Sequence, residues 1–140
     1  MFNSLQPFHL AFPVTDLAIA REFYGKVLDC QEGRVSNKSI VFNFFGHQLV
    51  AHLASHAKYH DTNLVDGDHV PIPHFGIVLT MDQWHHLVKK LQNAGAKFLI
   101  EPHIRFKGKS GEQATMFFLD PFGNALEFKA FNNTKGIFSK

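Results

Sequence analysis

The sequence has little of several features that would assign its class at once. A single cysteine, Cys30, among 140 residues excludes an internal disulfide and fits a reducing compartment. The net charge of +2 with neutral histidines is too small to indicate a nucleic acid or a membrane surface as partner. No apolar run approaches the ~20 residues that a membrane span needs, and no basic segment followed by an apolar stretch predicts a signal peptide. We therefore expect a soluble, cytoplasmic, single-domain protein.

Histidine, in contrast, is abundant, with ten residues that would make the protein markedly more cationic near pH 6. Two of them, His9 and His74, each open a short apolar segment. When these two are aligned, and Gly46 is aligned with Gly123, the sequence becomes two passes through one pattern. The chain is therefore interpreted as an internal duplication.

Each repeat predicts a strand, a helix and three further strands, which is a βαβββ unit. In the first repeat Asp16 begins the helix, and the strands are expected near residues 8–14, 31–35, 39–45 and 48–54. In the second repeat Asp82 begins the helix, and the strands are expected near 74–80, 97–101, 114–119 and 125–131. Residues 56–72 are polar and predict a linker between module one, about 8–55, and module two, about 73–131. The expected fold class is α+β.

Strand alternation places three candidate metal donors on the faces that do not build the core. They are His9, His74 and Glu127, and the position equivalent to Glu127 in the first repeat is Val50. A histidine in a strand is more often a structural residue with a hydrogen bond, but the equivalence of the two positions and the added carboxylate favour a metal site. Two imidazoles and a carboxylate suit Fe(II), Mn(II), Zn(II) or Ni(II) and leave positions open for water or substrate.

These donors, the stretch from Asp120 to Glu127 (DPFGNALE), and Phe23-Tyr24 followed by Val27-Leu28 make the chain resemble the vicinal oxygen chelate superfamily. The resemblance covers roughly residues 8–131. The superfamily includes glyoxalase I, extradiol dioxygenases, fosfomycin-resistance thiol transferases and bleomycin-resistance proteins. The resemblance implies two βαβββ modules whose mixed sheets curl around a metal cleft, usually in a homodimer. It also implies a small-molecule substrate and a divalent metal, with iron favoured, at His9, His74 and Glu127.

Among these activities the resemblance favours an Fe(II) extradiol-type dioxygenase acting on a small catechol-like aromatic. His52 is the candidate acid/base residue, with a surface or supporting role as the alternative. The residues expected on the cleft side are Ile40, Phe42, Phe117 and Leu119. The chain departs from these enzymes at two positions, so their mechanisms do not carry over directly. Glyoxalase I-like enzymes have a fourth metal ligand where this chain has Val50, and extradiol enzymes tend to carry tyrosine where it has Phe117.

Two other functions stay open. One is a metal-dependent glyoxalase-like lyase or thiol transferase acting on a small anionic oxygenated substrate, with charge from Arg105, Lys107 and Lys109. The other is a metal-free drug- or ligand-binding module. The remaining histidines are interpreted as surface or linker residues: His47, His56, His60, His69, His85, His86 and His103.

Overall fold

The computed structural model describes residues 5–56, 61–65 and 67–140, and His60 lies outside this part of the chain. The chain divides into two compact units, Met1–Lys58 and Tyr59–Lys140. Each unit contains a four-stranded mixed sheet, and the α+β class is confirmed. No helix in the described residues is both long enough and apolar enough to span a membrane.

Unit one has the predicted βαβββ order. Its sheet follows the strand order β1-β4-β3-β2, with β1 parallel to β4 and the other pairs antiparallel. A helical segment follows β1 and begins at Asp16, whose carboxylate accepts a hydrogen bond from the Ile19 amide. The elements are β1 (His9–Val14), α1 (Leu17–Ala20) continued by a π-helical segment (Arg21–Val27), β2 (Gln31–Val35), β3 (Ser39–Phe44) and β4 (His47–Leu53).

The core of unit one lies between its helical segment and one face of its sheet. The Tyr24 ring packs 5.0 Å from the Phe12 ring and 5.7 Å from the Phe42 ring, measured between centroids. Ile40 and Phe42 are fully buried on this helix-facing side. The expectation that Ile40 lines the cleft is therefore wrong, whereas Phe42 packs its ring on the helix side and is still among the residues that line the pocket containing His9. Strand alternation gives the other face of β3 to Ser39, Val41 and Asn43.

Unit two repeats the topology with the strand order β7-β10-β9-β8. The helix begins at Thr80 rather than Asp82, because Thr80 and Gln83 exchange side-chain and backbone hydrogen bonds in a capping box. Indole Nε1 of Trp84 donates to the Phe128 carbonyl at 3.1 Å and so ties the helix to the sheet. The elements are β7 (Val78–Leu79), α2 (Met81–Asn93), β8 (Lys97–Arg105), β9 (Gln113–Leu119), β10 (Ala125–Phe131) and a short 3₁₀ helix (Thr134–Phe138).

The segment predicted as a linker contains regular structure. Strands β5 (Asp61–Val65) and β6 (Asp68–Ile72) form an antiparallel two-stranded sheet within unit two. The polar composition concealed these strands because a small exposed hairpin needs few apolar residues. His69 is an exposed residue of β6.

Candidate metal centre

Glu127 is positioned by strand β10 and by the turn before it. Its side chain is half-buried, whereas both neighbours, Leu126 and Phe128, are fully buried on the opposite face. The turn is held by the buried Asp120 carboxylate, which accepts hydrogen bonds from the backbone amides of Phe122 and Asn124. The side-chain amide of Asn124 donates to the other oxygen of the same carboxylate at 2.8 Å. These bonds satisfy a buried charge and fix the start of β10.

His74 lies beside Glu127 because the segment that contains it pairs in parallel with β10. The Phe75 amide donates to the Ala125 carbonyl at 3.2 Å, and the Glu127 amide donates to the Phe75 carbonyl at 2.9 Å. The two backbones come so close that a Cβ on Gly76 would collide with the Glu127 carbonyl. Glycine at position 76 is therefore a condition for the approach of these two strands.

In both His74 and Glu127, one polar atom of the side chain is hydrogen-bonded to a neighbouring group and the other faces the partner side chain. His74 Nδ1 is 2.8 Å from the Pro71 carbonyl, and since a carbonyl only accepts, Nδ1 donates this hydrogen bond; in the neutral ring the lone pair is then on Nε2. The Thr115 hydroxyl donates to Glu127 Oε2 at 2.6 Å. The atoms that remain, His74 Nε2 and Glu127 Oε1, are 3.4 Å apart.

This pair has the chemistry of a metal-binding site. A neutral imidazole with its second nitrogen hydrogen-bonded to a carbonyl is the usual form of a histidine ligand. Two donors 3.4 Å apart can bind the same ion, since bonds from such ions to nitrogen and oxygen are about 2.0–2.2 Å long. Lys129 Nζ lies 3.9 Å from Glu127 Oε1, and the Phe117 ring packs edge-on against the His74 ring at 4.7 Å.

The pair opens into a pocket of about 260 Å³ formed by residues of unit two alone. Phe117, predicted on the cleft side, does line it. The hydrophobic cluster of Val70, Phe117 and Ala125, with Ile100 and Leu119 packed against it, supports this wall. His103, interpreted from the sequence as a surface residue, lines the pocket because β8 extends to Arg105, four residues beyond its predicted end. The whole lining is Asp68, Val70, His74, Ile100, His103, Arg105, Gln113, Thr115, Phe117, Glu127 and Lys129.

His9 belongs to unit one, where its surroundings resemble those of His74. It is exposed at the start of β1, and its Nδ1 is 2.8 Å from Gln48 Oε1, so that Nδ1 donates and, in the neutral ring, the lone pair is on Nε2. His47, also interpreted as a surface residue, accepts a hydrogen bond on Nδ1 from the Phe8 amide and so fixes the chain just before His9. His9, His47 and Gln48 line a more open pocket of about 600 Å³ formed by unit one alone.

Strand register confirms the internal alignment. In unit one, His9 pairs in parallel with Gln48 and Ala11 with Val50. In unit two, the bridge between Phe75 and Leu126 sets the same register, because it pairs the residue after the histidine with the residue before the glutamate. Gly46 and Gly123 occupy equivalent turns, with φ angles of 90° and 89°. Val50 therefore occupies the place of Glu127, and its side chain cannot coordinate.

His52, the candidate acid/base residue, is exposed on β4. It pairs with Pro13 and Ser39 on the same face of the sheet as Val50 and is not among the residues that line the His9 pocket. In the described parts of the chain, no three side chains of histidine, cysteine, aspartate or glutamate form a metal-binding group. Within unit two, His74 and Glu127 are adjacent, and His9 lies in unit one.

Comparison with known proteins identifies the family. The sequence profile of the Glyoxalase/Bleomycin resistance protein/Dioxygenase superfamily matches residues 6–128. A glyoxalase/bleomycin resistance protein/dioxygenase from Alicyclobacillus acidocaldarius is 34% identical, with a TM-score of 0.76 over 99% of this chain and 100% of the other.

Two further solved structures share the fold at lower identity. The fosfomycin resistance protein FosX from Listeria monocytogenes is 15% identical, with a TM-score of 0.67 over 97% of this chain and 98% of the other. A glyoxalase/dioxygenase from Nostoc punctiforme is 18% identical, with a TM-score of 0.68 over 95% and 100%. Comparison with curated proteins gives no match. The profile covers most of the chain and agrees with the 34% identical structure, so the chain belongs to the glyoxalase/bleomycin resistance protein/dioxygenase superfamily.

Proposed function

We propose that this protein is a divalent-metal-dependent enzyme acting on a small substrate that binds the ion through oxygen atoms. The observation that carries the proposal is the pair of His74 Nε2 and Glu127 Oε1, 3.4 Å apart, each in a side chain whose other polar atom is already hydrogen-bonded. His9 is proposed as the third donor, because its Nδ1 is held in the same way and it occupies the equivalent place in the repeat.

A bound divalent ion would supply Lewis-acid polarisation of the substrate oxygens. The chain's own groups would prepare the site for it. The Pro71 carbonyl and Gln48 hold the two imidazoles in the tautomer that presents Nε2, and Thr115 orients the Glu127 carboxylate. Partners of this kind typically change metal affinity by about 10- to 100-fold when they are removed.

Within this class we propose an Fe(II) extradiol-type dioxygenase acting on a small catechol-like aromatic. Three protein donors with Val50 at the fourth position leave open sites for both oxygens of a catecholate and for O₂. Phe117 beside His74 provides an aromatic wall but no hydrogen bond, so proton transfer has to come from another group. His52 stays our candidate for the group that transfers the proton. The three donors also suit Mn(II), Zn(II) and Ni(II).

A second candidate is a metal-dependent lyase or thiol transferase acting on a small anionic oxygenated substrate. Arg105 and Lys129 in the pocket favour it, because cationic side chains near a metal select negative substrates. Consumption of O₂ separates the two reactions: the dioxygenase requires it and yields a yellow ring-cleavage product from a catechol, whereas the transferase proceeds without O₂ and needs a thiol or another cosubstrate.

The primary test is the metal content per chain after anaerobic purification. We expect close to one iron or manganese per chain in wild type and in Glu101→Ala, a matched control at an exposed position outside the pocket. Glu127→Ala should fold normally and lose most of the metal. Little metal in wild type, even after soaking with Fe(II), Mn(II) and Zn(II), would leave a metal-free ligand-binding protein. The homodimer and the cytoplasmic location stay predictions, to be checked by light scattering and by cell fractionation.

A further inference from the structure

The pocket of unit two contains more charge than metal binding requires. Arg105 and Lys129 contribute positive charge, and Asp68 and Glu127 contribute negative charge. Because the two signs balance, a bound divalent ion would make the pocket positive. The ion and the two cations would then act together on an anion.

The side chains that line this pocket from β8, β9 and β10 lie in successive rows across the sheet, and the positive groups belong to the second and third rows. Strand pairing aligns Ile100, Phe117 and Glu127 in one row across β8, β9 and β10. The next row on the same face contains His103, Thr115 and Lys129. The third begins with the pair Arg105 and Gln113. Residues two apart on a strand are separated by about 7 Å, so the cations extend one and two rows away from the carboxylate of Glu127.

Arg105 is the group best suited to bind an anion in this arrangement. It is half-buried at the end of β8 and lines the pocket, and its guanidinium carbon lies 5.2 Å from the centroid of the Phe106 ring. A guanidinium offers paired N–H donors that match a carboxylate or a phosphate. Gln113, half-buried and paired with Arg105 across the strands, carries an amide N–H₂ that can donate to the same anion.

We propose that Arg105 determines specificity, by binding an anionic group of a substrate whose chelating oxygens lie at His74 and Glu127. The substrate class is a small molecule with metal-chelating oxygens at one end and a carboxylate or phosphate at the other, directed along the sheet toward the row of Arg105, two rows from Glu127. This inference rests on the proposed function, since the chelating end requires the metal.

Two lysines in the loop after Arg105 provide a control for the effect of positive charge alone. Lys107 and Lys109 follow Arg105 in the turn between β8 and β9, and neither lines the pocket. The turn is closed by its own hydrogen bonds, from the Lys109 amide to the Phe106 carbonyl and from the Gly108 amide to the Glu112 carboxylate. Lys109→Met therefore removes one positive charge near Arg105 without altering the pocket wall.

The experiment measures binding of two rigid probes to zinc-loaded protein by calorimetry. Both probes chelate through adjacent phenol oxygens, but 3,4-dihydroxybenzoate carries a carboxylate where 4-methylcatechol carries a methyl group. Zinc is redox-inactive, so no turnover is required. We expect wild type to bind the benzoate about 10- to 100-fold more tightly, as a charge-assisted hydrogen bond predicts. Arg105→Met should reduce this preference to about threefold or less, and Lys109→Met should keep it.

Arg105→Lys retains the charge but not the paired donors, so we expect its preference for the benzoate to lie between those of wild type and Arg105→Met. This variant also provides a second test if Arg105→Met folds poorly. Equal binding of the two probes by wild type would overturn the role of Arg105 and leave the metal proposal intact. A preference that survives in both Arg105 variants would also overturn it. Binding of both probes that does not depend on zinc would overturn the proposed function and this inference together.

Discussion

Gly76 gives the sharpest test of how the structure builds its metal pair. In Gly76→Ala the new methyl group would collide with the carbonyl of Glu127, a backbone atom that cannot rotate away. Either the segment before β7 moves off β10, or the backbone of Glu127 shifts. The collision is an overpacking term of about 1–3 kcal/mol. Loss of one or two backbone hydrogen bonds, such as Glu127 amide to Phe75 carbonyl at 2.9 Å, adds about 1 kcal/mol each.

We therefore expect Gly76→Ala to lower the free energy of unfolding by about 3 kcal/mol and the melting temperature by about 10 °C. Urea denaturation followed by tryptophan fluorescence measures the change, because Trp84 is buried against the sheet of unit two. Zinc content at low temperature, where the variant is folded, should also decrease, since the shift displaces both donors.

Gly25→Ala is the matched control. A Cβ at position 25 would lie 3.8 Å from Cγ of Arg21 and 3.9 Å from the Cys30 carbonyl, which are ordinary contacts. Alanine is also the better helix former, by up to about 1 kcal/mol. We expect this variant to be as stable as wild type or slightly more stable. If Gly76→Ala also unfolds at the wild-type urea concentration, the close approach of the two strands is refuted.

Three further predictions concern separate contacts. Gln48→Ala removes the partner of His9 Nδ1, so zinc affinity measured by competition with a chelator should fall about 10-fold with little change in stability; unchanged affinity would contradict a role for His9. The hydrogen bond from Arg21 lowers the pKa of the Glu32 carboxyl below its usual 4.5, so this pair stabilises the fold above that pH and the contribution is lost as the pH falls through the lowered pKa. Glu32→Gln should then be slightly less stable than wild type at pH 7 and equal to it near pH 3 by thermal melting, and a gap that widens in acid would refute this. Trp84→Phe leaves a buried backbone carbonyl without its indole donor and should cost about 1–3 kcal/mol in urea denaturation, where a cost near zero would mean that the hydrogen bond contributes little.

Local patterns predicted the repeat and its strands well. The alternation of buried and exposed residues around His9 and Glu127 is visible in the sequence, since a strand has a period of two. The correspondence of Val50 with Glu127 followed from aligning two histidines and two glycines, and the strand register agrees with it. These features depend on neighbours along the chain or on an exact duplication of them.

The differences from the sequence predictions have two causes. Ile40 was placed on the wrong face, and the ring of Phe42 packs on the helix, because alternation gives two faces but does not say which of them the helix covers. The reach of β8 to Arg105, and with it the role of His103 in the pocket, depends on pairing with β9, whose partner residues are eight or more positions later in the sequence. The hairpin at residues 61–72 is likewise stabilised by pairing rather than by an apolar pattern.

The sequence by itself determined the duplicated βαβββ order, the family and the donors that face away from the core, because each is encoded in side-chain type and local spacing. Only the tertiary structure decided how two of those donors meet. The 3.4 Å between His74 and Glu127 depends on a close approach at Gly76, on the Pro71 carbonyl and on the Thr115 hydroxyl. The Gly76 and Thr115 contacts join residues that are distant in sequence, and hydrogen bonds and steric exclusion across strands have no signature in a local pattern.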